Sequence, residues 1–164
     1  MILKQKLEKA INKQINAELW SAYLYISMSA YFESINLSGF AHWMRVQAKE
    51  ELKHAMKLYD HVIERLGRVT VTAIAAPQTT WKSPLHAFEE TFKHEQKVTA
   101  LIDDLVNLAI AEKDHATQVM LQWFVNEQVE EESSADQILQ KLKLIDKNTG
   151  GLFMLNHELE QRKE

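Results

Sequence analysis

Four long stretches of the chain repeat apolar residues at intervals of three and four, and each repeat is broken near its middle by acid. Such intervals belong to an α-helix with one face turned inward, because residues three and four apart stack on the helix surface. Over 4–34 the repeat is Leu7, Ile11, Ile15, Leu19, Ala22, Ile26 and Ala30, with Glu18 beside it and Tyr25 further along the same side. Over 39–66 it is Phe40, Trp43, Gln47, Glu51, His54, Leu58 and Val62, so polar groups hold the centre and apolar ones the ends. Over 84–113 it is Phe88, Phe92, Glu95, Val98, Ile102, Leu105 and Ala109. Over 116–146 it is Met120, Phe124, Glu127 with Gln128, Glu131, Ala135, Ile138, Leu142 and Ile145.

The chain's punctuation supports long helices. There are 4 Gly and 2 Pro in 164 residues, and both prolines fall within 77–84. Ser38 is the expected N-cap of the second helix and Gly67 its stop, and Ser83-Pro84 opens the third. Residues 67–83 lose the helical period. At about 3.3 Å per extended residue such a segment spans a helix of about 40 Å and returns the chain parallel to the second helix. Thr149-Gly150-Gly151 reads as a hinge, followed by a short amphipathic helix over 152–162 with Phe153, Met154, Leu155 and Leu159 apolar. The expected fold is all-α: an up-down-down-up four-helix bundle with one long crossover and a short fifth helix, one domain over 1–164.

Composition narrows the function classes. The apolar and charged shares, 46% and 26%, are those of a soluble protein. There is no Cys, so no disulfide framework and no thiolate metal site, which fits a cytoplasmic location. Residues 1–9 are charged and amphipathic, unlike a signal peptide. No run of about 18 apolar residues occurs, so no membrane span is expected. A net charge of −4 argues against a general nucleic-acid partner.

Positions near helix midpoints meet at one height whether neighbouring helices run parallel or antiparallel. A bundle of these helices therefore gathers Glu18, Glu51 with His54, Glu95, and Glu127 to Glu131. Buried like charges need shared protons, Arg or Lys partners, or metal. Arg45, Lys49 and Lys53 lie off the stripe of their helix, which leaves metal as the simplest remedy. Oxygen-rich ligation with one nitrogen suits iron or manganese, with zinc still open, and two metals bridged by a glutamate balance four carboxylates. Taken singly, each glutamate reads as a solvated helix position; their joint placement reverses that. Tyr25 reads equally as core aromatic or site residue, Gln128 as a surface amide raised by its neighbours, and Glu132 as exposed. His61 reads as a satisfied core or interface histidine; His42, His86, His94, His115 and His157 read as surface. Trp20, Trp43, Trp81 and Trp123 read as packing or interface residues. Asp114, near the start of the fourth helix, is a candidate for a cation entry channel.

Glu18-x6-Tyr25, Glu50-Glu51-Leu52-Lys53-His54, Glu95 and Glu127-Gln128-Val129-Glu130-Glu131 together make the chain resemble the bacterial non-haem ferritins over nearly its whole length. Ferritin-like di-iron bundles carry single glutamates on two helices and Glu-x-x-His on the other two. The resemblance implies a first iron on Glu18, Glu51 and His54, with Glu51 bridging, and a second on Glu95. It sets Gln128 close to the pair, Tyr25 hydrogen-bonded beside it, and Glu131 on the second or a third iron. Glu50, Glu127 and Glu130 would form the third-iron site. Its implied activity is iron storage by a ferroxidase that oxidises Fe(II) with O2 or H2O2 and keeps ferric mineral in a 24-subunit homo-oligomeric cage. Two departures narrow it. Glu127-x-x-Glu130 stands where bacterioferritins, rubrerythrins and ribonucleotide reductase small subunits carry a second Glu-x-x-His, and Leu52 replaces the haem-ligating Met of bacterioferritins, so no haem is expected. Two rival readings remain: a di-iron redox enzyme acting on an organic substrate or peroxide, and a helical interaction protein without metal. The first lacks rubredoxin-like Cys pairs; the second requires the acids to be paired or exposed.

Overall fold

The computed structural model describes residues 2–163, and five helices account for most of them. They are α1 (Gln5–Ser34), α2 (Ser38–Glu64), α3 (Pro84–Ala111), α4 (His115–Ile145) and α5 (Thr149–Glu160). The first four form the up-down-down-up bundle: α1 and α2 pair as one antiparallel hairpin, α3 and α4 as the other, and residues 67–83 cross between them. No helix among the described residues is long and apolar enough to cross a membrane.

The stripe on α2 is buried throughout, from Phe40 to Val62. Those on α3 and α4 are buried or half-buried at every expected position. On α1 the stripe drifts. Ile26 and Ala30 are exposed, and the buried line runs from Ile15 through Glu18, Ala22 and Tyr25 to Met28 and Phe32. Five of the six steps in the expected line are four residues, longer than the helix's 3.6 per turn, so that line slides off the buried face and the acid and the tyrosine lie on the buried line rather than beside it. The core is consequently split. One apolar cluster holds Phe32, Phe40, Phe88 and Leu142; the other holds Leu7, Ile11, Leu58, Ile102 and Phe124. The acidic level lies between them.

Helix ends depart from the expected punctuation. The left-handed residue that closes α2 is Leu66 (φ 56°), not Gly67. Gly67 N–H then donates back to the Val62 carbonyl at 2.9 Å. The same six-to-one bond recurs after Asn36 (φ 60°), from Leu37 N–H to Phe32, and after Lys113 (φ 53°), from Asp114 N–H to Ala109. Three helices therefore end without glycine in the strained position, which helps explain how so few glycines suffice. Ser38 makes no side-chain cap and is itself helical. Instead Asn156 Oδ1, on α5, accepts from Gly39 N–H at 2.9 Å and Phe40 N–H at 3.3 Å. Ser83 does cap α3, accepting from His86 N–H, with Pro84 at the first position. The stretch 149–151 is not a hinge but the first turn of α5, capped by Asn148.

The crossover is irregular and lies along the polar side of α1. Asn12 takes the Arg68 carbonyl at 2.9 Å and the Thr70 N–H at 2.8 Å, Asn16 reaches the Ala73 carbonyl at 3.2 Å, and Ser27 reaches that of Gln78 at 2.6 Å. These bonds satisfy an extended backbone that has no sheet to join. Asp114, the candidate for a cation entry channel, is paired within its own subunit. It caps α4 through Thr117 N–H and is buried in a two-pronged ion pair with Arg65 at 2.8 and 2.9 Å, which holds its carboxyl well below the ordinary range.

Candidate metal centre

Each bundle helix delivers its acid to the gap between the two apolar clusters. Glu18, Glu51 and Glu95 are each about 1% exposed, His54 4%, Gln128 3% and Glu131 7%. On α2 one turn separates Glu51 from His54, and the ring sits with Nδ1 3.4 Å from Glu51 Oε2. Its other nitrogen, Nε2, is 3.8 Å from Glu127 Oε2 on α4. The ring is fixed edge-on between Trp123 and Phe124, at 5.5 and 5.9 Å between centroids. Trp123 thus borders the site as well as packing.

Donor atoms of Glu18, Glu51 and His54 all lie within 4.8 Å of one another, and so do those of His54, Glu127 and Glu131. The imidazole stands between the two groups. Glu95 is set by two partners: Tyr25 donates its hydroxyl to Oε1, and Gln128 donates to Oε2 at 3.4 Å. Glu50 and Glu130 sit at the edge, half-buried and exposed respectively. The expected residues are brought to one level with two inner groups and an outer fringe.

The centre also contains groups that are not among the expected site residues. Gln14 donates to Glu18 Oε1 at 2.8 Å. Gln47 donates to Glu131 Oε2 at 2.5 Å and Glu51 Oε1 at 3.3 Å. Thr99 accepts from Gln128 and donates to Glu132 at 2.5 Å, so Glu132 is held at the rim instead of free in solvent. Arg162, beyond α5, donates to Glu50 Oε2 and Gln47 Oε1, so a cation does reach this level, from outside the four stripes. A polar residue on an otherwise apolar stripe is the one signal that finds Gln14 and Gln47. Among the remaining histidines, His61 is satisfied by Thr117 at 2.9 Å. His94 is not on the surface: it meets Ser21 at 2.8 Å, packs near Trp20, and burial followed by Lys97 pulls its pKa down to about 4.

Removal from water dominates the electrostatics. Burial first, then Glu51, raises Glu18 well above the ordinary carboxylate value; burial, then Glu95 and Glu131, does the same to Glu51. Glu95 is raised to about 7 by burial, against the opposing hydrogen bonds of Tyr25 and Gln128. Glu131 is raised to about 7 by burial and Glu95. Glu18 Oε2 and Glu51 Oε2 are buried without a hydrogen-bond partner. Desolvated, proton-hungry carboxylates with orphaned oxygens facing an imidazole fit a hard cation, which would supply the missing partner and displace the protons.

A pH dependence follows. Below about 7, Glu95 and Glu131 hold protons that a divalent cation must expel, so affinity should fall as pH falls from 8 to 6 while proton release per chain rises. Calorimetric Zn2+ titrations in buffers of different ionisation enthalpy measure both. Without metal the sign reverses for stability. The folded chain binds protons that the unfolded chain, with carboxyls near 4.5, has lost, so this contribution is present at pH 4.5 and vanishes through about pH 7. His94 works oppositely, adding stability between about pH 4 and 6.5. Above pH 6.5 the acids prevail, and the metal-free melting temperature should drop toward pH 8.

The family profile described as Ferritin-like domain matches residues 8–145. The chain belongs to the ferritin family. This ferritin is 48% identical to a bacterial non-heme ferritin of Bacteroides fragilis over 161 residues, covering 98% of this chain and all of that one. It is 37% identical to that of Staphylococcus saprophyticus, covering 98% and 96%. Among solved structures it superposes on the open pore ferritin of the archaeon Archaeoglobus fulgidus with a TM-score of 0.98 at 53% identity, covering 98% of this chain and 99% of that one.

Proposed function

We propose that this ferritin is an iron-storage ferroxidase whose substrate, Fe(II), is oxidised within the subunit by O2 or H2O2. The observation that carries the reading is the buried Glu18–Glu51–His54 group with its two unpartnered carboxylate oxygens. Glu18, Glu51 and His54 would take one Fe(II), with Glu51 bridging to a second held by Glu95 and approached by Gln128 and Glu131. Hard anionic ligands favour Fe(III) over Fe(II) and so make the bound ion easier to oxidise. Pairing the ions lets O2 take two electrons at once: two Fe(II), O2 and two protons give two Fe(III) and H2O2. Tyr25 and Gln128 orient Glu95, and Gln14 and Gln47 orient Glu18 and Glu131. Glu50, Glu127 and Glu130 form an outer station through which a third ion would pass. No haem role is proposed, and the chain is read as cytoplasmic.

The storage half of the reading is a hollow homo-oligomer of 24 subunits, without nucleic-acid or membrane partners. Exposed apolar side chains support assembly: Phe153 and Met154 on α5 are 64% and 76% exposed, and Tyr23, Ile26 and Leu52 form an apolar strip across α1 and α2.

An aerobic Fe(II) titration of the metal-free protein, followed by ferric absorbance and size chromatography, tests both halves. Fast, protein-dependent oxidation with soluble iron co-eluting with a large particle is the expected result. Fast oxidation in a small oligomer without retained iron favours the redox enzyme. No acceleration over buffer overturns the ferroxidase reading and revives the metal-free interaction protein.

A further inference from the structure

Among the described residues, the guanidinium that reaches the acidic level belongs to Arg162, beyond the last helix. Arg162 Nη2 donates to Glu50 Oε2 at 2.5 Å and to Gln47 Oε1 at 2.9 Å, and Nη1 donates to the Trp43 carbonyl at 3.2 Å. The guanidinium carbon lies 4.3 Å above the Trp43 ring, and the Arg162 carbonyl meets His42 Nε2 at 2.8 Å. Together these hold one residue through head, stem and backbone; its side chain is 19% exposed and that of Glu50 31%. That is far more than a loose surface ion pair receives.

The contact has two consequences for the centre. Glu50 adjoins the bridging residue Glu51 in sequence, and its charge also acts on Glu127 and Glu131. With Arg162 on Glu50, the outer acids already have a cation. Arg162 also occupies the Gln47 amide oxygen, which leaves the Gln47 NH2 to face Glu131 and Glu51. A metal ion taken up by Glu50 would pair with the carboxylate charge that the guanidinium already neutralises at 2.5 Å, and two cations on one carboxylate repel each other.

We propose that Arg162 is a built-in competitor for metal at the outer acidic station, holding Glu50 until a divalent cation displaces it. The inference rests on the proposed function for the identity of the inner site. Competition is reciprocal: metal on Glu50 frees Arg162 from α2, and Arg162 on Glu50 weakens the outer station by the same factor. The inner Glu18–Glu51–His54 group has no direct contact with Arg162 and is reached only through the 3.3 Å bond from Gln47 to Glu51, so its affinity changes less than that of the outer station. The outer station therefore fills after the inner one, which suits a position that passes ions onward.

Calorimetric titration of the full-length metal-free protein with Zn2+, which does not oxidise, tests this. Wild type should show a tight event and a weaker one. R162Q should tighten the weaker event at least about threefold and change the tight one by less, with the gain shrinking as salt rises. R162K keeps the charge and should stay near wild type; E50Q should remove the weaker event. The proposal is overturned if R162Q leaves the weaker event alone, if R162K behaves like R162Q (docking, not charge, being then the cause), or if E50Q retains the weaker event. Absence of any tight event in wild type, or its persistence in E51Q, instead defeats the proposed inner site, so the two failures are distinguishable.

Discussion

Glu51→Gln should abolish fast iron oxidation and, in the same protein, raise the melting temperature of the metal-free form. Both effects come from one carboxylate. Glu51 is about 1% exposed, faces Glu18, Glu95 and Glu131, and has one oxygen with no hydrogen-bond partner. Glutamine keeps the shape, can still accept from Gln47 and can donate to Glu18, but carries no charge to repel its neighbours. Replacing a buried carboxyl whose ionised form is uncompensated by a neutral amide is worth about 1–2 kcal/mol, which for a chain of this size is a rise of about 4 °C. The oxidation rate should fall about 100-fold or more, since even outer partners of metal ligands change activity by about 10- to 100-fold. Initial rates of ferric absorbance and thermal melting of metal-free protein measure the two effects. An unchanged rate would remove Glu51 from the mechanism. A lower melting temperature would show that its charge is compensated in the metal-free fold, against the orphaned oxygen of the structure. Added Zn2+ should reverse the order of stability, because wild type gains a ligand that the variant has lost.

Gly39→Ala should cost the fold more than any other single methyl discussed here. A Cβ on Gly39 would lie 1.7 Å from the Asn156 carbonyl oxygen and 2.7 Å from its carbonyl carbon. Those are backbone atoms in the middle of α5 and cannot swing aside, so α5 must leave. With it go the Asn156 cap on the first turn of α2 and the burial of Leu155 and Leu159, now 3% and 5% exposed. A lost cap costs about 1 kcal/mol and each re-exposed leucine about 1.5 kcal/mol or more, together about 4 kcal/mol and a fall of about 10 °C. Gly150→Ala is the control. There a Cβ meets nothing closer than Asn148 Oδ1 at 3.2 Å, and little change is expected. Thermal melting compares the two, and limited proteolysis near 149–160 should cut the Gly39 variant first. A Gly39→Ala protein that melts with wild type would mean that the α5 contact is dispensable.

The acidic level is legible in the spacing of residues because a buried stripe tolerates no idle charge. Glutamate recurring at mid-height on four stripes has few explanations, and the α2 stripe from Phe40 to Val62 is buried as its spacing predicts. The reading weakens where a residue's role depends on something distant in sequence. Ser38 looks like a cap, yet the cap is Asn156, more than a hundred residues away. Gly67 looks like the left-handed stop, yet Leu66 takes that conformation and Gly67 stands where a side chain would meet Val62 and Glu8. Asp114 looks like an open acid, yet Arg65 covers it. His94 looks exposed, yet Ser21 and Trp20 enclose it.

By itself, then, the amino-acid sequence determined the helices, the long crossover and the height at which carboxylates and imidazole meet, because these follow from local periodicity and from the cost of burying charge. Tertiary structure alone decided which atoms are paired. It gave Glu95 to Tyr25 and Gln128, left Glu18 Oε2 and Glu51 Oε2 without partners, and brought Arg162 back onto Glu50 across 112 residues. Those choices depend on the packing of separate helices, where a rotation of a fraction of a turn changes which lone pair faces which donor and leaves no trace in the spacing of residues along one helix.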